Sequence, residues 1–160
     1  MRQLLRRREV QTDRWRYPGE PGAGPQLQTT AELLATLTPA APAGAAAAEL
    51  GVQLGPEDEV AQLTPWLARL ALIVVRFTAG GDGRGFTQAQ LLRQRYDYRG
   101  ELRAAGAIRR DHLFLLARCG FDAFEFDPRE DPHAALAHLE RYSVAYQHAA
   151  GTLVQPRLRS

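Results

Sequence analysis

The sequence predicts an α/β protein built on a parallel sheet of about four strands. Three observations carry that reading. Short apolar runs at 50–54, 71–77, 101–105 and 122–126 alternate with stretches of helical spacing. Each such stretch carries its own start or stop signal. The run Ala71–Phe77 is nearly continuously apolar, as a strand covered on both faces would be. Strand followed by helix, four times over, argues for parallel strands joined by crossover helices. A flavodoxin-like sheet is the preferred form. A half-barrel that completes itself by dimerising is the alternative, because four strands leave two open edges.

The elements follow in order. Residues 2–17 form one or two short strands, with Leu4, Leu5, Val10, Trp15 and Tyr17 as apolar points. Tyr17–Pro25 is rich in Pro and Gly and reads as a loop. Thr29–Leu37 is a short helix, opened by a capping box of Thr29 and Glu32. Pro39–Ala48 is a Pro/Ala/Gly-rich linker. Pro56–Leu70 is helical, with Glu57, Asp58 and Glu59 at its positive end and a kink at Pro65. After the strand 71–77 comes a Gly-rich loop. A helix then starts with Thr87 as N-cap and Gln90 closing the capping box. Ile108–Cys119 is a helix stopped by Gly120, with Phe121 packing back. Asp131 caps a last helix that has Pro132 at its first position. Three parts result: an irregular arm and linker over 1–49, an α/β domain over 50–147 and a loose tail over 148–160.

Composition narrows the chemistry. The chain has 160 residues, 45% apolar and 24% charged, which is a globular balance. All 20 basic residues are Arg, and Lys and Asn are absent. That excludes a Schiff-base lysine, a lysine-based phosphate loop and N-linked glycosylation. Cys119 is the one cysteine, so no disulfide or CxxC pair forms within the chain. His133 and His138 are five apart, the wrong spacing for a metal pair on a helix. No apolar run is long enough to span a membrane, and the basic amino terminus lacks the apolar core of a signal peptide. A cytoplasmic location is expected. Arg2, Arg6, Arg7, Arg8, Arg14 and Arg16 make the amino-terminal arm basic. It reads as a solvated hairpin, or as an arm that meets an acidic partner or nucleic acid. The absence of a stacking platform argues against nucleic acid.

Ligands of an open parallel sheet bind beyond the carboxyl ends of its strands. Three loops enter helices there: Thr78–Phe86, Gly106–Ala107 and Asp127–Asp131. The first contains Gly80-Gly81-Asp82-Gly83-Arg84-Gly85. Gly83, Gly85 and Thr87 would turn backbone amides toward an oxyanion such as sulfate or phosphate, and Arg84 would add a bidentate contact. Asp82 would hold the loop by pairing with Arg84. The alternative is a plain strand-to-helix turn. Phe86 stands where a GxGxxG fingerprint needs glycine and where a phosphate loop needs lysine, so neither nucleotide motif is present. Arg76, Arg103 and Glu125 lie near the carboxyl ends of apolar strands and meet if the strands are neighbours. Arg103 is expected to be buried and paired with Glu125 or Asp111.

Several stretches together resemble domain-of-unknown-function family 934 of bacteria. They are Asp82–Ala89 (DGRGFTQA), Leu91-Leu92-Arg93, Tyr98–Ala104 (YRGELRA), Arg110-Asp111 and Arg118–Phe124 (RCGFDAF). The likeness covers about residues 50–147. Members of that family are usually encoded beside the sulfite reductase hemoprotein, and some carry the label probable oxidoreductase. The resemblance therefore implies an auxiliary role in assimilatory sulfate and sulfite reduction, with the hemoprotein as partner. It implies no catalytic residues. The family usually has an acid after the glycine that ends the second motif strand, and Ala107 stands there. The residues themselves show no haem, iron–sulfur or nucleotide motif to support an oxidoreductase. A flavin site needs no short motif and stays open. The competing readings are a small enzyme acting on a sulfur oxyanion or an adenylylated sulfate, and a non-catalytic assembly protein.

Overall fold

The computed structural model describes residues 2–36, 49–78 and 83–149. The strands are β1 (Gln3–Arg6), β2 (Glu9–Thr12), β3 (Leu27–Thr29), β4 (Leu50–Leu54), β5 (Leu70–Phe77), β6 (Glu101–Gly106) and β7 (Ala123–Phe124). They form one sheet of seven, in the order β2-β1-β7-β6-β5-β4-β3. The helices are α1 (Thr30–Thr36), α2 (Arg84–Gln90), α3 (Leu113–Arg118) and α4 (Pro132–Ala149). A 3-10 helix spans Val60–Trp66, and α2 runs on into a π turn over Leu91–Arg95.

The four expected strands are present and parallel. Leu54 pairs with Val75, Val74 with Arg103, and Arg103 with Ala123. The expectation of about four strands falls short by three. β3 extends the parallel set, and the β1–β2 hairpin adds antiparallel strands beside β7. β1 and β2 are the short strands expected over residues 2–17, whose place in the main sheet the sequence does not reveal, and β3 has only three residues, too few for a periodic signal. The order β3-β4-β5-β6-β7 is sequential. It has no reversal of the kind that defines the flavodoxin order, so a flavodoxin-like form is not confirmed.

Sequential order explains the two faces of the sheet. Right-handed crossovers between successive strands place all their helices on one side. Val52, Leu54, Ile73, Val75, Leu102, Ala104 and Phe124 point to that side and form one core with Leu33, Leu63, Leu92, Leu113, Leu116 and Ala135. The alternate residues Leu72, Val74 and Ala105 point to the other side, where Trp15, Tyr17 and Leu27 cover them. Both faces of β5 are thus buried, which accounts for its unbroken apolar run. Gly51 is part of this arrangement, because a Cβ there would lie 2.6 Å from the Trp15 ring.

The local signals were met unevenly. Thr29 Oγ1 accepts from the Glu32 amide at 3.2 Å, and Glu32 accepts from the Thr29 amide at 2.7 Å, a complete capping box. Asp131 caps α4 through the His133 amide at 2.9 Å. Gly120 ends α3 with φ +106°. The helix expected over Pro56–Leu70 is only the 3-10 turn, with Pro65 inside it. The hairpin β1–β2 turns through Arg7 and Arg8, with φ 49° and 66°. That left-handed pair belongs to Asn-Gly in most hairpins, and costs about 1–2 kcal/mol for each residue with a Cβ.

Candidate functional site

The helix-free face carries a buried charge network that the sequence only partly predicts. Arg103 is 1% exposed. Its guanidinium donates to Asp13 at 2.9 Å and to Glu101 at 2.8 Å. Burial was expected; the partners were not. Glu125 instead holds Arg2 at 3.1 Å and accepts from the Tyr17 hydroxyl. Asp111 is exposed at the start of the α3 region, away from Arg103. The true partner Asp13 comes from the amino-terminal arm, 90 residues earlier, where no local pattern points to it.

The strands explain why these groups meet. Glu101, Arg103 and Ala105 alternate outward on β6, with Arg76 and Glu125 level with Ala105 on either side. Arg6 reaches Glu101 at 2.8 Å from the far side of β7. Arg76 is exposed and does not join the ion pairs. It sits over the Tyr17 ring at 5.9 Å, with Arg2 at 4.3 Å. Burial opposes the charge on Arg103, but Glu101 and Asp13 hold its pKa above the ordinary value. Burial and then the Glu125 carboxylate push the Tyr17 phenol well up. The network closes residues 13–20 onto the sheet, and Tyr17 and Asp13 are its two arms.

The carboxyl edge of the parallel strands holds two clefts. The first, of about 480 Å3, is lined by Pro56, Asp58, Gly83, Arg84, Thr87 and Gln88. Gln88 ties α2 to the loop after β4, donating to the Gly55 and Asp58 carbonyls at 2.9 Å each. The Asp58 carboxylate accepts from the Gly55 amide at 2.7 Å and from Thr30 Oγ1 at 3.0 Å.

The geometry corrects the anion-loop expectation in several respects. α2 begins at Arg84, three residues before the expected start, and Thr87 is inside it rather than its cap. The amides of Phe86 and Thr87 both donate to the Gly83 carbonyl, so they face no ligand. Gly85 is required by packing, since a Cβ would lie 2.7 Å from the Phe77 ring. Phe77 and Phe86 then stack edge-on at 5.2 Å. Arg84 is paired with Glu57. A Cβ at Gly83, by contrast, would meet nothing within 4 Å. Asp82 lies outside the described residues.

The second cleft, of about 460 Å3, lies over the ends of β6 and β7. It is lined by Gly106, Ala107, Ile108, Arg109, Asp127, Arg129 and Glu130. Gly106 is left-handed at φ +92°, which lets the Ala107 amide turn back to the Phe77 carbonyl at 2.8 Å. Arg129 grips Asp127 through its side chain at 2.8 and 2.9 Å and through its amide at 2.9 Å. These bonds hold the Asp127 carboxyl down at about 2. Among the described residues no group of three His, Cys, Asp or Glu is placed to hold a metal ion. No helix there is long and apolar enough to cross a membrane. Cys119 is buried, and burial pushes its thiol up.

The amino edge is a closed structural unit. Arg93 donates to the carbonyls of Gly120, Tyr98 and Gly100 at 2.6–2.9 Å. Tyr98 donates to the Leu70 carbonyl at 3.1 Å, and Asp122 accepts from the Leu102 amide at 2.7 Å. Residues of the YRG and GFD stretches thus serve the fold.

Fold and clefts together define a single-sheet α/β protein whose parallel strands run in chain order, with its open clefts at their carboxyl ends. Residues 51–156 match the family model of bacterial proteins of unknown function, DUF934, and the chain belongs to that family. No curated protein matches it.

Proposed function

We propose that the protein is an auxiliary binding component of assimilatory sulfite reduction, and that it works through the carboxyl edge of its sheet. The sulfur assignment rests on the family's customary neighbour, the sulfite reductase hemoprotein. The choice of edge rests on one structural observation. Ala107, the position at which the family usually carries an acid, lines the second cleft together with Asp127 and Glu130. The position where the resemblance implies an acid therefore faces a cleft, while the YRG and GFD stretches are spent on the fold. The test is direct association. The purified chain and the hemoprotein, mixed and run on size exclusion, should elute as a complex. Separate elution at micromolar concentration counts against the auxiliary role.

A second reading is supported by Arg109 and Arg129 in that same cleft. The Arg109 guanidinium beside the left-handed Gly106, with Arg129 exchangeable from its Asp127 partner, suits a small sulfur oxyanion, and a small enzyme on such a substrate, with or without a bound flavin, would use this cleft. Titration with sulfite, sulfate, phosphate and adenosine 5′-phosphosulfate, followed by amide NMR, distinguishes the readings. Shifts confined to residues 106–109 and 127–130 support this one. An unchanged spectrum removes it. Shifts at 83–88 instead would restore the Gly83–Arg84 turn as the anion site.

A further inference from the structure

The two edges of the sheet carry different charge. The carboxyl edge carries the acids Glu57, Asp58, Glu59, Asp111, Asp127, Glu130 and Asp131 against Arg84, Arg109, Arg110 and Arg129, of which Arg84 and Arg129 are each tied to an acid. The amino edge carries Arg7, Arg8, Arg69, Arg99 and Arg118 against Glu9, Asp97 and Asp122. Much of this follows from the fold. Helices start at the carboxyl edge and end at the amino edge, so helix dipoles favour acids at one and arginines at the other.

Arg7 and Arg8 are not explained that way. They belong to no helix. They form the two-residue turn of the β1–β2 hairpin, both exposed and both left-handed. The turn is fixed beside β7, because the Arg7 amide donates to the Asp122 carbonyl at 3.1 Å. Arg6, next to it, is anchored on Glu101. Among the described residues neither Arg7 nor Arg8 is in a salt bridge, and the Arg7 charge acts on the nearby Asp122 carboxyl. A left-handed backbone thus holds two exposed charges at the turn, of which only Arg7 acts on a neighbouring acid, Asp122, and Asn-Gly would turn there without strain.

We propose that the amino edge of the sheet is a docking surface for an acidic protein face, with the Arg7–Arg8 turn as its contact point. The surface fits a protein rather than a nucleic acid. Glu9, Asp97 and Asp122 interrupt the arginines, and a continuous phosphate track would meet those carboxylates. A folded partner can place its acids opposite the arginines and its bases opposite the acids. This inference stands apart from the sulfur reading: it concerns the opposite edge and invokes no sulfur compound.

The test separates charge from folding. R7N/R8G removes both charges and installs the preferred turn, so its unfolding temperature should rise. A fluorescein-labelled oligoglutamate peptide is titrated with the full chain at low and at physiological salt, and anisotropy is read. The parent chain should bind in a salt-sensitive way, and R7N/R8G should bind on the order of tenfold more weakly. R7Q/R8Q, which keeps side-chain length, should show the same loss. R110Q removes an exposed charge at the opposite edge and should bind as the parent does. Peptide binding that survives in R7N/R8G, or no binding by the parent, overturns the proposal. Tighter binding of a DNA duplex than of the peptide overturns it in favour of nucleic acid.

Discussion

Arg103→Met tests the buried network that closes the amino-terminal arm onto the sheet. Methionine keeps most of the volume and removes the charge, leaving Asp13 and Glu101 without their shared guanidinium. The side chains of Arg103 and Asp13 are 2% and 1% exposed. Breaking a buried pair costs about 3–5 kcal/mol. The lower end applies here, because Asp13 keeps Arg2 at 3.3 Å and Glu101 keeps Arg6 at 2.8 Å. A loss of about 3 kcal/mol corresponds to roughly 6–12 °C in Tm for a domain of this size. Urea denaturation followed by Trp fluorescence reads it, since Trp15 sits in the arm that the network secures. Adding Asp13→Asn and Glu101→Gln should recover a large part of the loss, because no buried carboxylate then lacks a counter-charge. A loss below about 1 kcal/mol, the value of an exposed pair, would refute the reasoning.

Other outcomes follow from single residues. Gly120→Ala should destabilise the fold by about 1–2 kcal/mol in urea melts, since φ is +106° and the new Cβ would fall 2.5 Å from Arg93 Cγ. Asp127 should titrate at about 2 by carboxyl NMR, and Arg129→Gln should return it toward the usual carboxylate range. Burial raises the Asp122 carboxyl above its unfolded value, so its contribution is full below that value and is lost as pH rises through the folded one. Asp122→Asn should therefore gain on the parent as pH rises from below the usual carboxylate range to above it, with urea midpoints as the measure.

What could be read in the sequence divides along physical lines. Residues 71–77 announce a strand because burial on both faces demands an unbroken apolar run. Thr29 with Glu32, Asp131 with Pro132, and Gly120 with Phe121 announce helix ends because capping is local chemistry. α2 starts ahead of its local signal, Thr87 with Gln90, because that signal loses to a tertiary one. Gly85 lets the chain pack against Phe77, and the helix begins there, at Arg84. β1, β2 and β3 are too short for periodicity and exist through pairing with strands far along the chain. The same holds for the charge network: an arginine in an apolar strand signals burial, but only the fold brings Asp13 to it. Of the site, the carboxyl edge was legible from the strand–helix alternation. The use of the Phe86 and Thr87 amides within α2 was not.

The proposed role in sulfite reduction is tested most directly by growth of a deletion strain on sulfate, sulfite and sulfide as sole sulfur sources. An auxiliary component of sulfite reduction predicts slow growth on sulfate and on sulfite, with normal growth on sulfide and recovery when the gene is restored. Normal growth on all three would contradict it.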